Sequence, residues 1–124
     1  MSECVLIVDD NPLNLKLARI VLETAGYAVE TAIDAEGALR VLGSKHPRVI
    51  LMDIQLPGMD GLALTRQLKS HGATSGIAIV AVTAYAMAGD EEKALAAGCD
   101  GYLRKPFDTA MLPELVAAYM RRGG

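Results

Sequence analysis

The sequence predicts an α/β fold: a doubly wound parallel sheet of five strands with five helices packed around it. Three observations predict it. Aliphatic runs begin near residues 4, 28, 49, 77 and 101, a recurrence of roughly 20 to 28 residues, the length of one strand plus one crossover helix. Hydrophobic residues make up 52% of the chain, with four Tyr, one Phe and no Trp, so Ala, Val, Leu and Ile must fill the core. That composition suits a sheet buried on both faces under Ala- and Leu-rich helices. Right-handed crossovers place ligands beyond the carboxyl ends of the strands. The chemically interesting residues sit there: Asp9 and Asp10 after the first strand, Asp53 after the third, Thr83 after the fourth, Lys105 shortly after the fifth. A chain of 124 residues corresponds to one domain, residues 1–124, with no room expected for a separate output unit.

Cys4-Val5-Leu6-Ile7-Val8 is an unbroken apolar run ending at Asp9-Asp10-Asn11-Pro12. It reads as a central strand entering a helix, with Asn11 as N-cap and Pro12 at the first helical position. Leu13, Leu17, Ile20 and Val21 then recur at helical spacing up to Gly26, which suits a stop. Ala28 to Ala32 is the second strand. A helix from Asp34 follows, with Ala35, Ala38, Leu39 and Leu42 on one face, and it stops near Gly43, before Pro47. Val49 to Met52 is the third strand, followed by the loop Pro57-Gly58-Met59-Asp60-Gly61 and a helix through Leu64 and Leu68. Ile77 to Val82 is the fourth strand, and its helix ends at Gly98. A short strand around Tyr102 and Leu103 leads to a last helix with Leu112, Leu115, Val116 and Tyr119 on one face, ending close to Arg121. Pro113 cannot donate a backbone N–H. Either regular helix begins near it after a turn from Asp108, or the first turns are distorted.

Several function classes are excluded at this level. Net charge is -3 and the twelve Lys and Arg are scattered, so the counterion release that drives nucleic-acid binding has no basic cluster to act through. The most apolar stretch, Ile77 to Ala88, falls well short of the ~20 residues that span a bilayer. The N-terminus lacks a signal-peptide pattern, which points to the cytoplasm. Cys4 and Cys99 form no CxxC pair and read as reduced, mostly buried thiols. His46 and His71 read as exposed helix-end residues.

Three acids at one edge of a sheet repel one another unless a cation sits among them. A hard divalent ion such as Mg²⁺ takes a few carboxylates, carbonyls and waters, often completed by phosphate oxygens. Asp9, Asp10 and Asp53 are therefore a candidate Mg²⁺ site. Lys105 adds a positive charge and Thr83 a hydroxyl, both able to bind phosphoryl oxygens. Together these groups describe phosphoryl transfer onto a carboxylate, where positioning and charge neutralisation supply most of the catalysis. Singly, each residue has a plainer reading as a loop acid, helix cap, strand-end residue or surface charge. Their joint placement at successive strand ends favours the chemical one.

The chain resembles the receiver domains of bacterial two-component response regulators. The matching residues are Asp9-Asp10, the segment Leu51-Met52-Asp53-Ile54-Gln55-Leu56-Pro57-Gly58-Met59-Asp60-Gly61, the turn Val82-Thr83-Ala84, and Tyr102-Leu103-Arg104-Lys105-Pro106-Phe107. The stretch from Val80 to Glu92 also resembles DivK-type single-domain regulators. The resemblance implies the CheY-like, flavodoxin-like strand order 2-1-3-4-5 and a phosphoryl group accepted on Asp53 from a histidine kinase or histidine phosphotransfer protein. It implies Mg²⁺ held by Asp10, Asp53 and the carbonyl of Gln55, with Asp9 acting through water. Lys105 and Thr83 would contact the phosphoryl group, and Tyr102 would swing inward behind Thr83. The signal would then leave through the face formed by the fourth helix, fifth strand and fifth helix to a protein partner, with the protein a monomer or a phosphorylation-dependent dimer. Such a protein is a switch and not an enzyme, beyond accepting and losing its own phosphoryl group. A cis bond before Pro106 and slow self-dephosphorylation owing to the bulk of Tyr85 are further expectations.

Three alternatives compete with this reading. A haloacid-dehalogenase-like phosphatase needs a second Asp two positions after the nucleophile, where Gln55 stands and cannot serve. A flavodoxin-like FMN binder needs a phosphate loop rich in Ser, Thr and Gly, where Asp9-Asp10 would repel a phosphate. A receiver excised from a hybrid histidine kinase keeps the same chemistry and stays open.

Overall fold

The computed structural model of the chain describes residues 3–56, 58, 60–83, 89–105 and 108–122, with the side chain of residue 122 excepted. Five parallel strands form one sheet: β1 (Cys4–Val8), β2 (Ala28–Ala32), β3 (Val49–Asp53), β4 (Ala78–Thr83) and β5 (Gly101–Arg104). Their order is β2-β1-β3-β4-β5, the order and strand number expected from the sequence. The helices are α1 (Pro12–Thr24), α2 (Ala35–Leu42), α3 (Gly61–Lys69), α4 (Asp90–Ala97) and α5 (Leu112–Arg122). The direction of winding reverses between β1 and β3, so a crevice opens beyond their carboxyl ends.

Side chains alternate across the sheet with a period of two, and the central strands are apolar on both faces. Leu6, Val8, Ile50, Met52, Ile79 and Ala81 point to the layer containing Ala35, Ala38, Leu64, Leu68 and Ala94 from α2, α3 and α4. Val5, Ile7, Val49, Leu51, Val80 and Val82 point to the layer containing Leu15, Ala18, Leu22, Leu112, Val116 and Met120 from α1 and α5. Continuous aliphatic runs are what burial on both faces demands, and they hold β1 and β3 in register from Val5 opposite Val49 to Val8 opposite Met52.

Helix ends follow the sequence signals closely. Asn11 caps α1 by accepting from the Leu13 N–H at 2.9 Å, and Pro12 is the first helical residue. Asp34 caps α2 by accepting from the Gly37 N–H at 2.7 Å. Gly98 closes α4 with φ +109°, a conformation in which L side chains are strained. Of the two readings of Pro113, the first is observed. A 3₁₀ turn, Thr109–Met111, starts at Asp108 and passes into α5, where Pro113 is the second residue and its missing N–H has no intrahelical acceptor to leave empty.

The rotation of α1 differs from the expectation. Leu13, Leu17 and Ile20 are 62%, 45% and 51% exposed, while Leu15, Ala18 and Leu22 carry the packing. Both triplets satisfy helical spacing, so periodicity alone does not say which stripe faces the sheet. In α2, Ala35 and Ala38 are buried and Leu42 is partly so, but Leu39 is exposed.

Candidate functional site

β1 continues its ladder one residue past the strand, with the Asp9 N–H donating to the Ala32 carbonyl at 3.0 Å. By alternation, the Asp9 side chain falls on the same face as Val5 and Ile7. It is buried, and the turn into α1 holds it: the Asn11 N–H donates to Oδ1 at 2.9 Å and the Asn14 amide donates to Oδ2 at 3.3 Å. Asp10 beside it is exposed.

Asp53 is the last residue of β3, one position further along the strand than the sequence suggested, and it too is buried. Its Oδ1 accepts from the Gln55 N–H at 2.9 Å. The loop after it is held tightly. Ile54 donates its N–H to the Val82 carbonyl at 3.1 Å, and Asp60 caps α3 through the Leu62 and Ala63 N–H groups. Gly61 then packs directly on the Asp53–Ile54 backbone. A Cβ there would collide with the Asp53 carbonyl oxygen and lie 2.7 Å from the Ile54 Cα.

Lys105 follows β5 and is anchored by its own N–H, which donates to the Thr83 carbonyl at 2.8 Å. Its ammonium donates to Asp9 Oδ2 at 2.8 Å and stands 3.7 Å from Asp53 Oδ2. Thr83 ends β4 and is fully buried. Tyr102 is partly buried against the layer of α2, α3 and α4. It lies opposite Ala81 in the β4–β5 register, one pleat behind Thr83 on the same face of the sheet.

One oxygen from each of Asp9, Asp10 and Asp53 lies within 4.8 Å of the others. Burial pushes the Asp53 carboxyl above the ordinary carboxylate range; the Gln55 N–H and the Lys105 charge oppose that shift, and Asp9 and Asp10 add to it. Lys105 reaches two of the three carboxylates. A single ammonium does not neutralise the cluster. An all-oxygen donor set with excess negative charge fits a hard divalent cation such as Mg²⁺. Below these groups lies a cavity of about 440 Å³ with apolar walls that include Ile7, Leu17, Leu51, Val82 and Leu112; its polar lining is Asp9, Asn14, Asp53, Lys105 and Thr109.

The structure thus brings Asp9, Asp10, Asp53 and Lys105 together, places Gln55 beside them through its N–H, and sets Thr83 and Tyr102 on the neighbouring strands. Pro106 and Tyr85, to which the cis bond and the slow dephosphorylation were assigned, lie outside the described residues, as do the motif residues Phe107, Ala84, Pro57 and Met59. Sequence reasoning missed Asn14 and the close approach of Gly61. The first is signalled only by a polar residue on the first turn of α1, the second only by a Gly directly after a capping Asp.

A family model described as the response regulator receiver domain matches residues 5–117. The polar-differentiation response regulator DivK of Brucella ovis is 41% identical over 120 residues, covering 97% of this chain and 98% of that protein. Among solved structures, a CheY-like response regulator receiver domain protein from Methanospirillum hungatei superposes with a TM-score of 0.90 at 32% identity, covering 99% of this chain and 97% of the other. The receiver domain of a sensor histidine kinase from Pseudomonas aeruginosa, with a magnesium ion coordinated in its active site cleft, gives a TM-score of 0.87 at 34% identity, covering 98% and 99%.

Proposed function

We propose, from the premise that this chain belongs to the response regulator receiver domain family, that Asp53 is its phosphoryl acceptor and that the chain is a single receiver unit over residues 1–124. The observation that carries the reading is a buried carboxylate at the sheet's switch point with an ammonium 3.7 Å away and two further acids alongside. Asp53 Oδ1 is occupied by the Gln55 N–H, which leaves Oδ2, on the Lys105 side, as the attacking atom. The N–P bond of a phosphohistidine breaks as the Asp53 O–P bond forms, and the imidazole is the leaving group. Asp10, Asp53 and the Gln55 carbonyl would hold Mg²⁺ directly and Asp9 through water; bound there, the ion neutralises the charge on the transferring oxygens. Lys105 then holds a phosphoryl oxygen and Thr83 offers its hydroxyl to another. Tyr102 follows Thr83 inward, since both lie on the layer covered by α4, and the α4–β5–α5 face changes shape.

Leu13, Leu17 and Ile20 form an exposed stripe on α1, and Leu17 lines the cavity beside this site, which supports docking of the phosphodonor, a histidine kinase or phosphotransfer protein. Among the described residues no helix is long and apolar enough to cross a membrane. The reading is of a cytoplasmic switch that receives one phosphoryl group and does not turn over a substrate. The similarity to a kinase receiver at 34% identity supports the second reading, a domain of a hybrid histidine kinase. The 98% coverage of a DivK protein at 41% identity supports the first.

The experiment is incubation with Mg²⁺ and acetyl phosphate followed by intact mass measurement. One phosphoryl group should add to the wild type and none to Asp53→Asn. Failure of the wild type to gain mass from acetyl phosphate, phosphoramidate or a phosphohistidine protein would refute the reading.

A further inference from the structure

We propose that Asn14 is a positioning residue for phosphoryl transfer: its side-chain amide holds the Asp9 carboxylate so that Lys105 can leave Asp9 for the phosphoryl group. The inference rests on Asp53 being the acceptor.

In the structure Lys105 is committed elsewhere. Its ammonium is bonded to Asp9 Oδ2 at 2.8 Å, and at 3.7 Å from Asp53 Oδ2 it is beyond hydrogen-bond reach of the acceptor. It has to give up a charge-assisted bond to serve a phosphoryl oxygen. Asp9 is 6% exposed, so apart from a water shared with Mg²⁺ little solvent can replace the lost donor, and a buried carboxylate left short of partners is costly.

Asn14 meets that cost from the protein side. It donates to the same oxygen that Lys105 holds, at 3.3 Å, a distance with room to shorten when the ammonium departs. The other oxygen keeps the Asn11 N–H at 2.9 Å throughout. Asn14 is half-buried on the first turn of α1, and the cap fixes its place, with Asn11 Oδ1 accepting from the Leu13 N–H and, more weakly, from the Asn14 N–H. Two donors sharing Asp9 Oδ2 also weaken each other's hold. Lys105 is thereby easier to detach than in an isolated pair.

The test is the rate of phosphoryl uptake from acetyl phosphate with saturating Mg²⁺, read by intact mass. Asn14→Ala should lower the maximal rate roughly three- to ten-fold, what one hydrogen bond is worth in a rate, with little change in the donor concentration giving half-maximal rate. Asn14→Gln, which keeps the amide on a longer stem, should recover part of the loss. In a Lys105→Ala background the further change Asn14→Ala should cost less than about two-fold, because the residue acts through the Lys105 pairing. Equal losses in both backgrounds would make Asn14 a structural cap only, and a wild-type rate in Asn14→Ala would remove the role altogether. Either result overturns the proposal while leaving Asp53 as acceptor, whereas a wild type that takes up no phosphoryl group refutes the acceptor reading itself. Metal-free unfolding of each variant confirms that the rates compare folded proteins; if Asn14→Ala does not fold, Asn14→Gln and Asn14→Asp carry the comparison, the acidic variant being slower than Gln because it repels Asp9.

Discussion

Replacing Asp53 by Asn should stabilise the metal-free protein, although it deletes the proposed acceptor. At an effective dielectric of about 20, like charges no more than 4.8 Å apart repel by at least about 3.5 kcal/mol, and opposite charges 3.7 Å apart attract by about 4.5 kcal/mol. Asp9 supplies one full repulsion; that from Asp10 is reduced by its exposure to about 1 kcal/mol. Together these match or exceed the attraction of Lys105. Burial is then left to decide, and it disfavours the charged form, so Asn should add about 1 to 2 kcal/mol of stability.

The pH dependence has a definite sign. Asp53 binds its proton more tightly folded than unfolded, so the native chain holds the proton at pH values where the unfolded chain has already lost it. Stability therefore falls as pH rises from the ordinary carboxylate range through the raised folded value, and the deficit is fully present above that window. The advantage of Asp53→Asn should accordingly be seen at neutral pH and shrink in acid. Urea unfolding followed by circular dichroism in EDTA measures it. Mg²⁺ at ten times its dissociation constant adds about 1.4 kcal/mol to the wild type and less to a variant lacking one ligand, so the gap should close or invert. An Asp53→Asn variant that is less stable than wild type in EDTA at neutral pH would refute the reasoning.

Gly61→Ala should cost about 2 kcal/mol or more and slow phosphorylation as well, because the new methyl collides with the Asp53 backbone; the unfolding midpoint and the mass assay both report it, and a neutral change would show that the loop yields freely. Asp100→Ala should destabilise by about 1 to 3 kcal/mol, since Asp100 Oδ2 accepts from Lys69 Nζ at 2.9 Å and from the Ile79 N–H at 2.8 Å; urea unfolding measures this, with phosphorylation of the folded protein unchanged. Ile20→Glu, at a position 51% exposed, should leave stability within about 0.5 kcal/mol and uptake from acetyl phosphate intact, yet reduce transfer from a phosphohistidine protein about ten-fold. Equal transfer would remove the α1 stripe as a docking surface.

The gathering of Asp9, Asp10, Asp53 and Lys105 was legible because it follows from where aliphatic runs end, and a parallel sheet brings those ends to one edge; the strand order came with the family resemblance. The rotation of α1 was not. Its apolar residues cover more than one face, so helical spacing fits both the buried set at Leu15, Ala18 and Leu22 and the exposed set at Leu13, Leu17 and Ile20. Nor was the pairing of Lys105 with Asp9 rather than Asp53. That preference depends on differences of about 1 Å, set by the Asn11 and Asn14 donors on one carboxylate and the Gln55 N–H on the other. Gly61 was visible as a letter, but a backbone contact with Asp53 has no sequence pattern of its own.

The alternation that buries the sheet also separates the two surfaces the proposed function needs. Asp9 and Asp53 continue the odd-numbered face of β1 and β3, which is covered by α1 and α5, and the cavity below them opens on that side. Thr83 and Tyr102 continue the opposite face, covered by α2, α3 and α4. Under the proposed function a phosphohistidine approaching Asp53 would dock beside α1, on the face opposite Tyr102. The phosphoryl group would be left at the sheet edge, where Thr83 ends the neighbouring strand. Thr83 is the point where the two faces meet, because its carbonyl holds the Lys105 N–H while its side chain belongs to the α4 side. Under the proposed function, movement of Lys105 toward the phosphoryl group and movement of Thr83 would be coupled through that one backbone hydrogen bond, so that a small chemical event on the input face would be read on the other.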